Sequence, residues 1–130
     1  MALHNHLILN ARIKRPLQSE EKIKKWLESL VTAIGMKKVA GPIASYVTSE
    51  GNVGMTAGVL IETSHIAMHV WDEETPPKMQ FDLYTCSTLP LITIFEMIDN
   101  EFEIVSAEYL VMNRDSGYNI VLSEKIYHYR

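Results

Sequence analysis

The sequence predicts an α+β domain: a two-layer sandwich with an antiparallel sheet and two helices on one face. Three observations carry that prediction. Ile23, Trp26, Leu27, Leu30 and Ile34 recur at helical spacing and form one apolar stripe. Residues 65–71 and 79–86 each split into two faces with the period of two expected of a strand. The segments also fall in the order β-α-β-β-β-β-α-β-β, with strands grouped in runs instead of alternating with helices.

The chain has 130 residues, which predicts a single domain over 1–130. Apolar residues make up 47%, enough for a sizeable core, and the net charge of −4 carries no footprint for nucleic acid. No apolar run reaches the length of a membrane span. Residues 1–10 lack the basic-then-apolar pattern of a signal peptide. A lone cysteine, Cys86, has no internal disulfide partner, as suits a reducing cytoplasm. The expected setting is therefore cytoplasmic, without membrane or nucleic-acid partners.

His4 to Arg12 reads as the first strand, with His4, His6, Ile8 and Asn10 on one face. His4-x-His6 offers too few ligands for a metal site, and none is expected. Ser19 is placed to cap a helix whose first turn holds Glu20 and Glu21, where the helix dipole favours negative charge. Gly35 closes it. Trp26 lies on the apolar stripe and reads as core. A second strand over Met36 to Tyr46 is expected to break at Gly41-Pro42. Thr48 to Gly54 reads as a loop, and Ala57 to Thr63 as a third strand.

A fourth strand begins at Ser64 or His65, leaving almost no room for a turn. Its faces are His65, Ala67, His69 and Trp71 against Ile66, Met68 and Val70. An acidic loop, Asp72 to Lys78, leads to a fifth strand, Met79 to Cys86. Antiparallel pairing of these two strands brings the His69 face and the Cys86 face to the same side of the sheet. Ser87 or Thr88 is placed to cap a second helix, with Leu91, Ile94, Phe95 and Ile98 as its apolar face. Phe102 to Met112 and Tyr118 to Leu122 read as the last strands, joined by the turn-forming residues 113–117.

The chemistry concentrates in residues 61–71 and 81–86. They hold a Ser-His pair, a second histidine, a tryptophan and the cysteine. The chain either bends sharply near Ser64 or runs straight through it, and a strained junction there points to backbone chemistry. A serine hydroxyl in a strained turn can attack the preceding carbonyl and exchange an amide for a weaker ester. A base that then removes the serine α-proton cuts the chain and leaves dehydroalanine, which hydrolyses to a pyruvoyl group. That carbonyl condenses with a substrate amine, and the Schiff base accepts the electrons released by decarboxylation. A thiol can protonate the resulting carbanion.

The pattern Thr63-Ser64-His65-Ile66-Ala67-Met68-His69-Val70-Trp71-Asp72-Glu73, followed by Phe81-Asp82-Leu83-Tyr84-Thr85-Cys86, resembles the short prokaryotic S-adenosylmethionine decarboxylases. The likeness extends to His6-Leu7 and to Gly54-x-Thr56-x-Gly58. It implies that Ser64 is the pyruvoyl precursor, His69 the processing base and Cys86 the catalytic proton donor. It implies that the hydroxyl of Thr56 assists processing, that Thr63 supplies the cleaved carbonyl, and that Trp71 and Glu73 lie in the substrate region. It further implies self-cleavage between Thr63 and Ser64, a homodimer, and production of the aminopropyl donor for spermidine synthesis. The chain departs from the family at three places: Thr63 replaces a glutamate, the loop after Trp71 is longer, and Ser87 replaces a glycine. Two alternatives share these residues. One is a pyruvoyl-dependent arginine or ornithine decarboxylase. The other is an uncleaved homologue that binds a nucleoside ligand or a partner.

Overall fold

Alternation decides which side of each strand is buried. Leu7, Leu9 and Ala11 of the first strand are buried, as are Ile66, Met68 and Val70, and Met79, Phe81 and Leu83. The computed structural model describes residues 4–115 and 117–126. Its elements are β1 (Asn5–Ile13), α1 (Glu20–Ala33), β2 (Lys38–Val47), β3 (Gly54–Ile61), β4 (Ser64–Trp71), β5 (Lys78–Thr85), α2 (Leu91–Phe102), β6 (Ile104–Asn113) and β7 (Asn119–Ile126). The strands form one antiparallel sheet in the order β2-β3-β4-β5-β1-β6-β7. The helices pack on the face that carries the buried residues, and the opposite face stays open. No described helix is long and apolar enough to cross a membrane.

The first helix follows the sequence closely. Ser19 Oγ accepts the Lys22 amide at 3.2 Å, and Gly35 takes a left-handed φ of 73° just past the end. Trp26 is core: its ring meets Phe81 and Phe102 edge-on at 6.4 and 5.0 Å, and its Nε1 donates to the Met97 carbonyl. Trp26, Leu30, Phe95 and Ile98 are all buried.

Strand limits shift by a few residues, with β3 starting at Gly54 and ending at Ile61 instead of Thr63 and β7 running on to Ile126, and three further expectations fail for a physical reason. The second helix starts at Leu91 with Pro90 in the cap position and no side-chain cap. Neither Ser87 nor Thr88 serves, because Ser87 turns back to Thr85: its amide donates to Thr85 Oγ1 at 3.1 Å. Pro90 also disfavours helical geometry at Leu89. Phe102 ends α2 instead of starting a strand, since fully burying its ring against Trp26 stabilises by roughly 2–3 kcal/mol. Finally, Gly41-Pro42 does not break β2. The strand absorbs it as a bulge between Ala40 and Ile43, tolerable because β2 is an edge strand. Ser116, within the expected turn at 113–117, lies outside the described residues, as do residues 1–3 and 127–130.

Gly54 opens β3 at φ 151°, and a Cβ there would lie on top of the Val70 carbonyl oxygen. This close approach seats β3 on β4 and sets Thr56 opposite His69. Gly54→Ala is expected to cost about 3 kcal/mol, from backbone strain and a clash that only movement of the strand relieves. Gly51→Ala, where φ is 83° and no atom lies within 4 Å of the new carbon, is expected to cost only about 1–2 kcal/mol. Urea denaturation midpoints compare the two. Equal losses would show that the Val70 contact is unimportant.

Candidate active site

The β3–β4 connection is a two-residue turn, Glu62-Thr63, so Ser64 is the first residue of β4 and pairs with Ile61. The chain does bend sharply before Ser64. Glu62, Thr63 and Ser64 are not among the residues with positive φ, so left-handed backbone strain is absent from the turn. Cys86 reaches this turn from the end of β5. Its amide donates to Ser64 Oγ at 3.4 Å, and its thiol donates to the Thr63 carbonyl oxygen at 3.2 Å. Both ends of the Thr63–Ser64 link are therefore held by one residue. They line a cleft of about 300 Å³ together with Met36, Thr85 and Ser87.

Two further side chains surround the thiol. The Tyr84 hydroxyl lies 3.6 Å from Cys86 Sγ and 2.7 Å from His4 Nδ1, and that nitrogen is 3.7 Å from the sulfur. The neighbouring thiol, through its hydrogen bond, and burial both raise the Tyr84 pKa above the usual phenol value. Arg114 covers the Tyr84 ring at 4.3 Å.

The open face reads in rows across the strands. His6, Tyr84 and His65 stand opposite one another on β1, β5 and β4. One row on, Asp82 lies opposite Ile8 and Ala67; the next row sets Gln80 and Thr56 opposite His69. Asp82 Oδ1 is 3.3 Å from His6 Nε2 and 3.2 Å from His65 Nε2. Burial pushes the Asp82 carboxyl up, but the two imidazoles outweigh it and hold the group below the usual carboxylate range.

His69 belongs to a second cluster. Its Nδ1 is 3.0 Å from Thr56 Oγ1, and its ring is 6.1 Å from that of Trp71. Trp71 is fixed by a hydrogen bond to Asn52 Oδ1 at 3.0 Å and by Lys78, which lies 5.3 Å from the ring centre. In the following loop Asp72 binds the Tyr46 hydroxyl and Glu74 binds Arg12, while Glu73 is exposed. The predicted residues thus fall into two groups on one sheet. Thr63, Ser64 and Cys86 meet at one end of β4, and Thr56, His69 and Trp71 at the other. Five steps along β4 separate Ser64 from His69, about 16 Å at ~3.3 Å per residue, and the odd spacing turns their side chains to opposite faces: Ser64 pairs with the buried Ile61, and His69 stands on the open face. Within one chain the histidine does not reach the serine.

The sequence model of a family described as S-adenosylmethionine decarboxylase matches residues 5–115, most of the chain. The chain belongs to the S-adenosylmethionine decarboxylase family. A search of the curated proteins finds no match. The span matched to the decarboxylase family includes both clusters and the two-residue turn between β3 and β4. Sequence reasoning singled out neither His4 nor Tyr84 as neighbours of the thiol, nor Asp82 as a bridge between His6 and His65. Tyr84 and Asp82 stand in the 81–86 motif, and that was the available signal. The place of His4 depends on the pairing of β1 with β5, which leaves no mark in the local sequence.

Proposed function

We propose that this chain is the precursor of a pyruvoyl-dependent S-adenosylmethionine decarboxylase, which cuts itself between Thr63 and Ser64 and acts as a homodimer. The carrying observation is the grip of Cys86 on both sides of that bond, at 3.2 Å from the Thr63 oxygen and 3.4 Å from Ser64 Oγ. Attack of Ser64 Oγ on the Thr63 carbonyl carbon builds negative charge on its oxygen. The thiol already donates to that oxygen, so stabilisation is in place before the charge develops. Collapse breaks the Thr63–Ser64 amide, leaving an ester and a free Ser64 amine. Removal of the Ser64 α-proton then forms the Cα–Cβ double bond and expels the Thr63 carboxylate. Tautomerisation and hydrolysis release ammonia and leave the pyruvoyl group at position 64.

A base is needed for the α-proton, and His69 of the same chain is too far away. Cys86 and His69 stand on the open face at opposite ends of β4 and β5, whereas Ser64 turns toward the buried Ile61 at the strand end. A second copy stacked on the open face about a two-fold axis therefore brings its His69 to the Cys86 end of the first, beside the Ser64 main chain. His69 and Thr56 of a second copy then approach Cys86 of the first and the backbone of Ser64, whose α-proton is the one to be removed. The open face suits such stacking: Ile43 and Leu60 are 72% and 57% exposed there, beside the small residues Gly58 and Ala67. Thr56 beside Nδ1 orients the imidazole.

The residues present fit the pyruvoyl group, which when formed supplies the carbonyl that captures the substrate amine and accepts the electrons of decarboxylation. Cys86 then holds the proton for the substrate carbon. Trp71 offers a fixed aromatic face for the adenine or sulfonium, and Glu73 an exposed carboxylate for the cation. The product is the aminopropyl donor for spermidine synthesis.

Mass spectrometry of the purified chain after incubation tests the reading. Two pieces are expected, residues 1–63 and residues 64–130, the second blocked by pyruvoyl and releasing carbon dioxide from carboxyl-labelled S-adenosylmethionine. A persistently intact chain would favour a binding protein. Release from arginine or ornithine alone would keep the chemistry and overturn the substrate.

A further inference from the structure

We propose that His6, His65 and Asp82 form a binding site for a transition-metal dication of the zinc type on the open face of the sheet. Three strands build it. His6 on β1 and His65 on β4 flank Tyr84, and Asp82 stands two residues along β5 on the same face. Both imidazole Nε2 atoms converge on one carboxylate oxygen, at 3.3 and 3.2 Å, and the three ligand atoms lie within 4.8 Å of one another. Tetrahedral zinc with ligand bonds of ~2.0–2.1 Å spaces its ligand atoms about 3.4 Å apart. Two sides of the triangle therefore match the edges of such a shell, with the remaining position open.

Orientation separates this from an ordinary ion pair. His6 Nε2 and Asp82 Oδ1 are buried atoms at contact distance, yet they are misaligned for a hydrogen bond and have no other hydrogen-bond partner among the described residues. Buried polar atoms are rarely left in that state. An ion accepting both lone pairs satisfies them together. Two imidazoles and a carboxylate are the donors that zinc, iron, cobalt and nickel take. The site also spans the Thr63–Ser64 bond: His6 belongs to residues 1–63, whereas His65 and Asp82 belong to residues 64–130. An ion there joins the two pieces that cleavage would produce.

Arg114 sets the affinity. Its Nη1 lies 3.4 Å from His6 Nδ1. Metal on Nε2 requires the proton on Nδ1, and a guanidinium cannot accept it. Binding must therefore displace Arg114, and removing that side chain should tighten the site.

The test uses the untagged chain, stripped with EDTA and titrated with cobalt(II), read by visible absorption and calorimetry, with circular dichroism as a check on folding. One equivalent per chain is expected, with the intense bands of a four- or five-coordinate site. His65→Gln and Asp82→Asn should each lose at least about tenfold in affinity, His69→Gln should bind as wild type, and Arg114→Ala should bind more tightly. Absence of the cobalt spectrum at saturating metal would overturn the site. So would binding that survives both His65→Gln and Asp82→Asn. An Arg114→Ala variant that binds no more tightly would remove His6 Nε2 from the ligand set. These readouts do not depend on cleavage or decarboxylation, so the metal site and the pyruvoyl reading can fail separately.

Discussion

Ser64→Ala is expected to leave the chain in one piece indefinitely, because no other atom of residue 64 can attack the Thr63 carbonyl. The fold should survive, since Ser64 is only partly buried and its hydroxyl accepts a single long hydrogen bond, from the Cys86 amide. His69→Ala removes the base and should slow cleavage by about 10²–10⁴-fold, the usual worth of positioned proton transfer. Both variants are intact on a gel, and their mixture separates the two ways in which His69 can act. If the histidine serves its own chain, co-expression rescues nothing, because every chain lacks either the nucleophile or its base. If it serves the other copy, a mixed dimer holds one complete site: Ser64 from the His69→Ala chain and His69 from the Ser64→Ala chain. Random pairing places about half of the His69→Ala chains in such dimers, so about half should cut. Cleavage of these chains in the mixture, on a timescale where neither variant expressed alone is detectably cut, is the expected result. No rescue in a mixture shown by native mass spectrometry to contain heterodimers would overturn the shared site.

The reason this experiment is needed lies in what the sequence can and cannot display. Period alone placed the faces of β4 and β5, because Ile66, Met68 and Val70 must be buried together once the segment is extended. The same logic put Trp26 in the core. Local rules failed where side chains found distant partners. Ser87 has the chemistry of a helix cap but spends it on Thr85, and Phe102 has strand propensity but is worth more against Trp26. The site residues were legible as a motif along one dimension. Their grouping was not, because register and strand order belong to the sheet. β1 is inserted between β5 and β6, and that insertion brings His4 to Cys86 and His6 to Asp82. The 16 Å between Ser64 and His69 follows from simple arithmetic on β4, yet it acquires meaning only when the helices are seen to leave the opposite face open.

Cys86→Ala should produce the second large effect, in two separable parts. Maturation should slow by about 10²–10³-fold, as when one donor to a developing oxyanion is removed, because the thiol lies 3.2 Å from the Thr63 oxygen. Material that does mature should still capture S-adenosylmethionine, and borohydride should fix the substrate to residues 64–130. Turnover should nevertheless fall by about 10²–10⁴-fold, since the substrate carbon has lost its proton donor. Tyr84→Phe offers the needed comparison. It deletes the hydroxyl between His4 and Cys86 but leaves the thiol and its contact with Thr63. Maturation in Tyr84→Phe should therefore run near the wild-type rate, with the loss confined to turnover, where the thiol must be reloaded with a proton after each cycle. Single-turnover and steady-state rates distinguish the two: the first turnover should be nearly normal and the following ones slow. If Cys86→Ala matures at the wild-type rate, the thiol plays no part in cleavage and the contact with Thr63 is only packing. If it also turns over normally once mature, the proton comes from elsewhere, and His4, 3.7 Å from the sulfur, is the next group to remove.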